Sequence, residues 1–155
     1  GRLELVKNEL DLPLFVDFAH TPNALETVLK TLSEMKKRKI ITIFGCGGDR
    51  DRAKRPLMGA ISERYSDLTI ITTDNPRNED PSVIINEIAK GFSHQESYLI
   101  EPDRAEAIRK GIGLAQQEDM VLIAGKGHEK YQIFSHRTIP FDDKAVAEEI
   151  CKGAQ

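Results

Sequence analysis

The sequence predicts an α/β fold: a Rossmann-like, doubly wound, mostly parallel sheet of about six strands with an antiparallel strand at one edge. Three observations predict it. Short, wholly apolar or β-branched runs alternate with longer stretches whose apolar residues recur at helical spacing. The apolar runs lack the in-and-out alternation of a half-exposed sheet, so helices must cover both faces. Most of the runs end in Gly, Asp, Asn or Pro, residues that turn a chain out of a strand and into a helix.

Leu14-Phe15-Val16-Asp17-Phe18 is the first clear strand, followed by Thr21-Pro22 and a helix with Leu25, Val28, Leu29 and Leu32 in its apolar stripe. Ile40-Ile41-Thr42-Ile43-Phe44 is β-branched and runs into glycines. A helix then starts near Pro56, with Leu57, Ala60, Ile61 and Tyr65 expected on its buried face. Leu68 to Thr73 is the next strand, and Pro81 opens a helix carrying Ile84, Ile85, Ile88 and Phe92. Tyr98-Leu99-Ile100 precedes a helix spanning about Asp103 to Gln117, and Met120 to Ala124 is a fully apolar strand. Tyr131 to Ser135 is expected as the antiparallel edge strand, and Asp142 as the cap of a last helix running to about Lys152.

The 155 residues have the size of one domain, with no linker, repeat or low-complexity tract. Apolar residues at 39% and charged residues at 30% suit a folded globular chain rather than a disordered one. A net charge of -3 without single-sign blocks argues against a nucleic-acid surface or a basic membrane face, which leaves small molecules as expected partners. Cys46 and Cys151 form no CxxC pair, so neither disulfides nor zinc are expected, and a reducing cytoplasm fits. No apolar run is long enough to span a bilayer, and Gly1 to Leu10 lacks the apolar core of a secretory signal. A monomer is expected.

In doubly wound sheets, ligands bind beyond the carboxyl ends of the strands. Four loops there are rich in specific polar groups: Asp17 to Asn23, Gly45 to Arg55, Asp74 to Asp80, and Gly125 to Glu129. Solvated turns are the competing explanation for each loop taken alone. Gly45-Cys46-Gly47-Gly48 resembles a phosphate-binding glycine turn, although it lacks the Lys-Ser/Thr of a P-loop and the GxGxxG spacing. Arg50, Arg52, Lys54 and Arg55 make the same loop a receiver for a carboxylate or phosphate, with at least one of them merely solvated.

Asp74-Asn75-Pro76-Arg77 sets a carboxylate, an amide and a guanidinium around a stiff proline, a set that suits a zwitterionic amino-acid head. Arg77 would grip a carboxylate; Asp74 and Asn75 would accept from an ammonium. Gly125 and Gly127 allow a sharp turn that returns Glu129 over the strand ends as a further amine acceptor. His128-Glu129 is not the HExxH zinc motif, since position 132 is Gln, and no metal site is expected in this chain. His20 lies between a strand end and a helix start, where it could pack on a base or bond a phosphate; a plain cap by Thr21 is the alternative.

Five segments in register, Val16 to Pro22, Phe44 to Asp51, Lys54 to Gly59, Asp74 to Arg77 and Ala124 to Glu129, resemble the C-terminal domain of the Mur ligases, with a likeness running from Gly1-Arg2 nearly to Cys151. The resemblance implies an ATP-dependent amide ligase of peptidoglycan synthesis that activates a carboxylate as an acyl phosphate. Its incoming amine would be meso-diaminopimelate, and its acceptor UDP-MurNAc-L-Ala-D-Glu. Carried over by motif, Arg50, Asp74, Asn75, Pro76, Arg77, Gly125 and Glu129 would hold diaminopimelate, while Asp17 and His20 would face ATP. ATP and Mg2+ would be bound mainly by a central domain, and the uridine nucleotide by an amino-terminal one, neither of them in residues 1–155. The chain alone is therefore expected to be inactive. A lysine- or glutamate-adding ligase domain of the same kind, and a non-catalytic α/β nucleotide-binding module, are the alternatives. Arg77 argues against lysine, which has no second carboxylate to meet a guanidinium.

Overall fold

A computed structural model describes residues 3–154, so the ends of the sequence likeness at Gly1 and Arg2 lie outside the described residues. The elements run β1 (Glu4–Leu5), β2 (Leu14–Asp17), α1 (Pro22–Met35), β3 (Ile40–Phe44), α2 (Lys54–Tyr65), β4 (Leu68–Ile71), α3 (Pro81–Ala89), β5 (Tyr98–Ile100), α4 (Arg104–Leu114), β6 (Met120–Ala124), β7 (Tyr131–Ile133), β8 (Thr138–Pro140) and α5 (Asp143–Gly153). Six strands form one sheet in the order β1-β2-β6-β3-β4-β5. Every pairing in it is parallel except that of β1 with β2.

The sheet is apolar on both sides because successive strand residues feed different cores. Phe15, Phe44, Ile71 and Leu122 pack with Leu25, Leu29 and Leu32 of α1, Met58 of α2 and Ile84, Ile85 and Ile88 of α3. On the other side Leu14, Val16, Ile43, Ile70, Val121 and Ile123 pack with Ala107, Ile108 and Ile112 of α4 and Ala147 and Ile150 of α5. Each fully buried leucine or isoleucine contributes about 1.5–3 kcal/mol relative to exposure. Local chemistry sets the helix starts. Thr21 Oγ1 accepts from Ala24 N at 3.2 Å, with Pro22 at the first helical position of α1. Asp80, Asp103 and Asp142 cap α3, α4 and α5 in the same way.

Two expectations are corrected. Residues 131–135 do not join the main sheet: β7 pairs with β8 in a separate antiparallel hairpin, and the antiparallel edge strand is β1. Tyr131 and Ile133 are exposed and Gln132 is buried, so the run is a half-covered ribbon rather than a core strand. In α2 the buried face is Arg55, Met58, Gly59 and Ser62, while Leu57 is 56% exposed. Polar contacts decide this rotation: Arg55 meets two carboxylates, and Ser62 Oγ lies 2.6 Å from Thr69 Oγ1.

Candidate functional site

β2, β6, β3 and β4 are consecutive in the sheet and parallel, so the four polar loops leave the same edge side by side. They are bonded to one another. Gly48 N donates to Asn75 O at 2.8 Å, and Arg77 Nη1 donates to Gly48 O at 3.1 Å. A Cβ at Gly48 would overlap the Pro76 carbonyl, so only glycine allows the two loops to touch there. The glycine turn thus serves close packing of backbone on backbone rather than an exposed anion cradle.

The loop cations divide into two kinds. Arg55 is fully buried, donating to Glu79, Glu87 and Gly47 O, and Arg52 pairs with Glu87. Hydrogen bonds from Arg52 and Arg55 pull the Glu87 carboxyl down to about 2. Lys54 Nζ donates to His20 O at 2.8 Å. Arg52 and Arg55 thus answer to carboxylates of the chain itself, a pairing the sequence did not predict, whereas Lys54 bonds only a backbone oxygen among the described residues. Arg50 and Arg77 likewise lack a carboxylate among the described residues, their guanidiniums donating to backbone oxygens: Asp49 O at 2.9 Å for Arg50, Gly48 O and Asn75 O for Arg77. A side-chain carbon at Gly47 would lie 2.8 Å from Arg77 Nη1 and 3.8 Å from Arg50 Cγ, so both arginines flank that glycine.

Arg77 has φ 52°, a left-handed conformation that costs a non-glycine residue about 1–2 kcal/mol. The hairpin holds it there. Arg77 N donates to Ile133 O at 3.0 Å, Ile133 N donates to Asn75 Oδ1 at 3.0 Å, and Gln132 Nε2 donates to Asp74 O at 3.0 Å. Pro76 is buried between these contacts.

Asp74 and Asn75 face inward, being 6% and 5% exposed. Asn75 Oδ1 also accepts from Lys126 Nζ at 3.0 Å, so it is fully occupied within the chain. Burial pushes the Asp74 carboxyl up, against the pull of Arg104 and Lys126. Gly125 has φ 116°, and a Cβ on it would stand 2.6 Å from Asp74 Oδ2. Glu129, with a side chain 42% exposed, is the acidic group that reaches outward; its Oε1 lies 3.4 Å from Asn75 Nδ2 and 3.3 Å from Lys126 Nζ.

Sequence reasoning missed two cations. Lys126 is fully buried between Asn75, Glu129 and the Tyr131 carbonyl. Arg104, also fully buried, makes a bidentate pair with Asp143 at 2.8 Å and donates to Thr73 O and Ala124 O. It ties the chain just beyond β4 and the end of β6 to α5. A lysine between two glycines and an arginine at a helix start carried no sequence signal, because their partners lie up to 51 positions away.

Asp17 and His20 sit apart from this cluster. They line a hollow of about 440 Å3 with Phe18, Thr21, Asn23 and Thr27. Asp17 is 3% exposed; its Oδ2 accepts from Ala19 N at 2.8 Å, and its Oδ1 is buried without a partner. His20 is exposed, its ring tilted 58° against that of Phe18 with centroids 4.4 Å apart, and its Nδ1 lies 2.8 Å from Phe18 O. A hydroxyl donor such as a ribose would satisfy Asp17 Oδ1. Among the described residues no group of three His, Cys, Asp or Glu side chains gathers as metal ligands.

A family described as the Mur ligase, glutamate ligase domain matches residues 1–127. The chain belongs to the Mur ligase family. A relative from Clostridioides difficile (strain 630), named UDP-N-acetylmuramoyl-L-alanyl-D-glutamate--2,6-diaminopimelate ligase, is 53% identical over 150 residues, covering 96% of this chain and 31% of the relative. One of the same name from Syntrophomonas wolfei is 52% identical over 155 residues, covering 99% of this chain and 32% of the relative. A solved structure of a ligase of that name superposes with a TM-score of 0.92 at 39% identity, covering 99% of this chain and 32% of that one. The chain therefore spans about a third of the length of the Mur ligases it resembles.

Proposed function

We propose that this chain is the C-terminal, amino-acid-presenting domain of the ATP-dependent ligase that joins meso-diaminopimelate to UDP-MurNAc-L-Ala-D-Glu. The observation that carries the reading is the pair Arg50 and Arg77, flanking Gly47 without a carboxylate partner, on the same edge as the outward carboxylate of Glu129. Two guanidiniums and a carboxylate match the carboxylate and ammonium of an amino-acid head. The names of the relatives at about 50% identity support the same substrate.

In this reading Arg77 and Arg50 bind the carboxylate of the distal centre and Glu129 accepts from its ammonium. Asp74, Asn75, Pro76 and Gly125 act from beneath: Asp74 and Asn75 fix the loop, Pro76 stiffens it, and Gly125 leaves room for the Asp74 carboxylate. With one end of diaminopimelate fixed, the amine at the other end is presented to the activated carboxyl of the nucleotide precursor, an orientation effect. Asp17 and His20 face ATP. ATP supplies the phosphoryl group that activates the carboxyl; it and Mg2+ are bound mainly by a central domain, and the uridine nucleotide by an amino-terminal one. The protein is cytoplasmic and monomeric, has no nucleic-acid or membrane partner, and the domain alone forms no amide.

The test is Arg77→Ala in the full-length ligase. The Michaelis constant for diaminopimelate is expected to rise roughly 10- to 100-fold, as for loss of a charge-assisted hydrogen bond, with that for ATP almost unchanged. Equal changes in both would refute the pocket.

A further inference from the structure

Lys126 is fully buried, yet none of the pocket's contacts to an amino-acid head requires it. Its Nζ donates to Asn75 Oδ1 at 3.0 Å, Glu129 Oε1 at 3.3 Å and Tyr131 O at 2.5 Å, and lies 3.8 Å from Asp74 Oδ1. It stands between the two carboxylates of the site. A buried lysine costs several kcal/mol in desolvation unless it is paired, so its charge is matched to something the fold keeps there.

We propose that Lys126 is a specificity-determining residue that sets the charge of the head-group pocket, keeping it positive enough to admit an amino acid with a distal carboxylate and to reject one whose distal end is a bare ammonium. This rests on the reading of the site as the diaminopimelate pocket. Lys126 lies between Asp74 and Glu129, Arg50 and Arg77 flank Gly47 on the same edge, and Arg104 and Asp143 neutralise each other beneath, which leaves three cations to two anions among these groups. The distal end of diaminopimelate is a zwitterion without net charge; that of lysine is a lone cation. A surplus positive charge therefore costs lysine and not diaminopimelate. Arg77 supplies the attractive half of the discrimination, and Lys126 the repulsive half.

The experiment compares diaminopimelate with lysine as competing substrates of the full-length ligase, reading the ratio of their kcat/KM values. Lys126→Gln keeps a hydrogen-bond donor and removes the charge; it is expected to shift the ratio at least about tenfold toward lysine, the effect of removing one nearby unit charge at an effective dielectric near 20. Lys126→Arg, which keeps the charge, is expected to leave the ratio close to that of the unaltered enzyme. A Lys126→Gln enzyme that loses activity on both substrates in equal proportion overturns the proposal, because a purely structural role would do that. If Lys126→Gln gives no cooperative melt, Glu129→Gln decides: it makes the pocket more positive, is expected to shift the ratio further against lysine, and an unchanged ratio overturns the proposal. A normal ratio in Lys126→Gln beside a lost preference in Arg77→Ala removes the Lys126 role and leaves the pocket assignment standing. An unaltered enzyme that uses lysine as readily as diaminopimelate removes both.

Discussion

The two polar regions of the carboxyl edge are built differently. In the cluster around Arg77, bonds cross between chain segments: Gly48 to Asn75, Lys126 to Asn75, Ile133 to Asn75, and Arg104 to both Thr73 and Ala124. In the hollow around Asp17 and His20, the two side chains bond within their own loop, to Ala19 N and Phe18 O, and Asp17 Oδ1 has no partner among the described residues; only the backbone of this loop is tied to its neighbours, by Lys54 Nζ on His20 O and Gly125 N on Asp17 O. A pocket knitted from several segments holds its shape before its ligand arrives, and such preorganisation lowers the cost of binding. A shallow hollow with a buried orphan oxygen is half of a site, whose other wall must come from elsewhere.

Breaking the crossed bonds at their base gives the largest effect. Arg104→Met leaves the Asp143 carboxylate buried and alone, and is expected to cost about 3–5 kcal/mol of stability in urea unfolding of the domain. Gly48→Ala pushes apart the loops that carry Arg50 and Arg77; about 1–3 kcal/mol of stability is expected to go, with a rise in the diaminopimelate Michaelis constant of the full ligase. The other side of the comparison is sharpened by Asp17→Ala, for which the Michaelis constant for ATP should rise about tenfold while that for diaminopimelate holds, from the loss of one hydrogen bond to a charged group. If both constants moved together, the two regions would not be separate sites.

Acid gives the smallest effect. The Glu87 carboxyl, held at about 2 by hydrogen bonds from Arg52 and Arg55, has a folded value below its ordinary 4.5. Its contribution to stability is thus complete above about 4.5 and is lost as pH falls toward 2, where the folded state too takes up the proton. Glu87→Gln should flatten that part of the stability profile, measured by thermal unfolding at stepped pH, while leaving the Asp17 hollow untouched.

The strands and helices of the sheet were legible because apolar spacing reports burial directly, and Pro22, Pro81 and Asp142 mark helix starts by local chemistry. The four loops were legible because strand polarity puts every βα turn on one edge. What a charged residue does there was not. Arg50, Arg52 and Arg55 lie within six positions of each other, yet only Arg50 lacks a carboxylate, since Glu79 and Glu87 come from a different loop and helix. The same limit hid Lys126 and Arg104, and turned Leu57 outward against its apolar character. Local pattern records how far a residue is drawn from water, not which distant group it answers to.

The hairpin β7–β8 stands outside the sheet, with most of its residues at the surface, and still supplies the backbone atoms that clamp Arg77 and Asn75. Backbone donors and acceptors are indifferent to side-chain identity, so most of the ribbon is free to drift in sequence while its grip persists. Its length and twist are the quantities that count. The ribbon thus reaches the Arg77 loop through main-chain atoms, from outside the sheet that carries that loop.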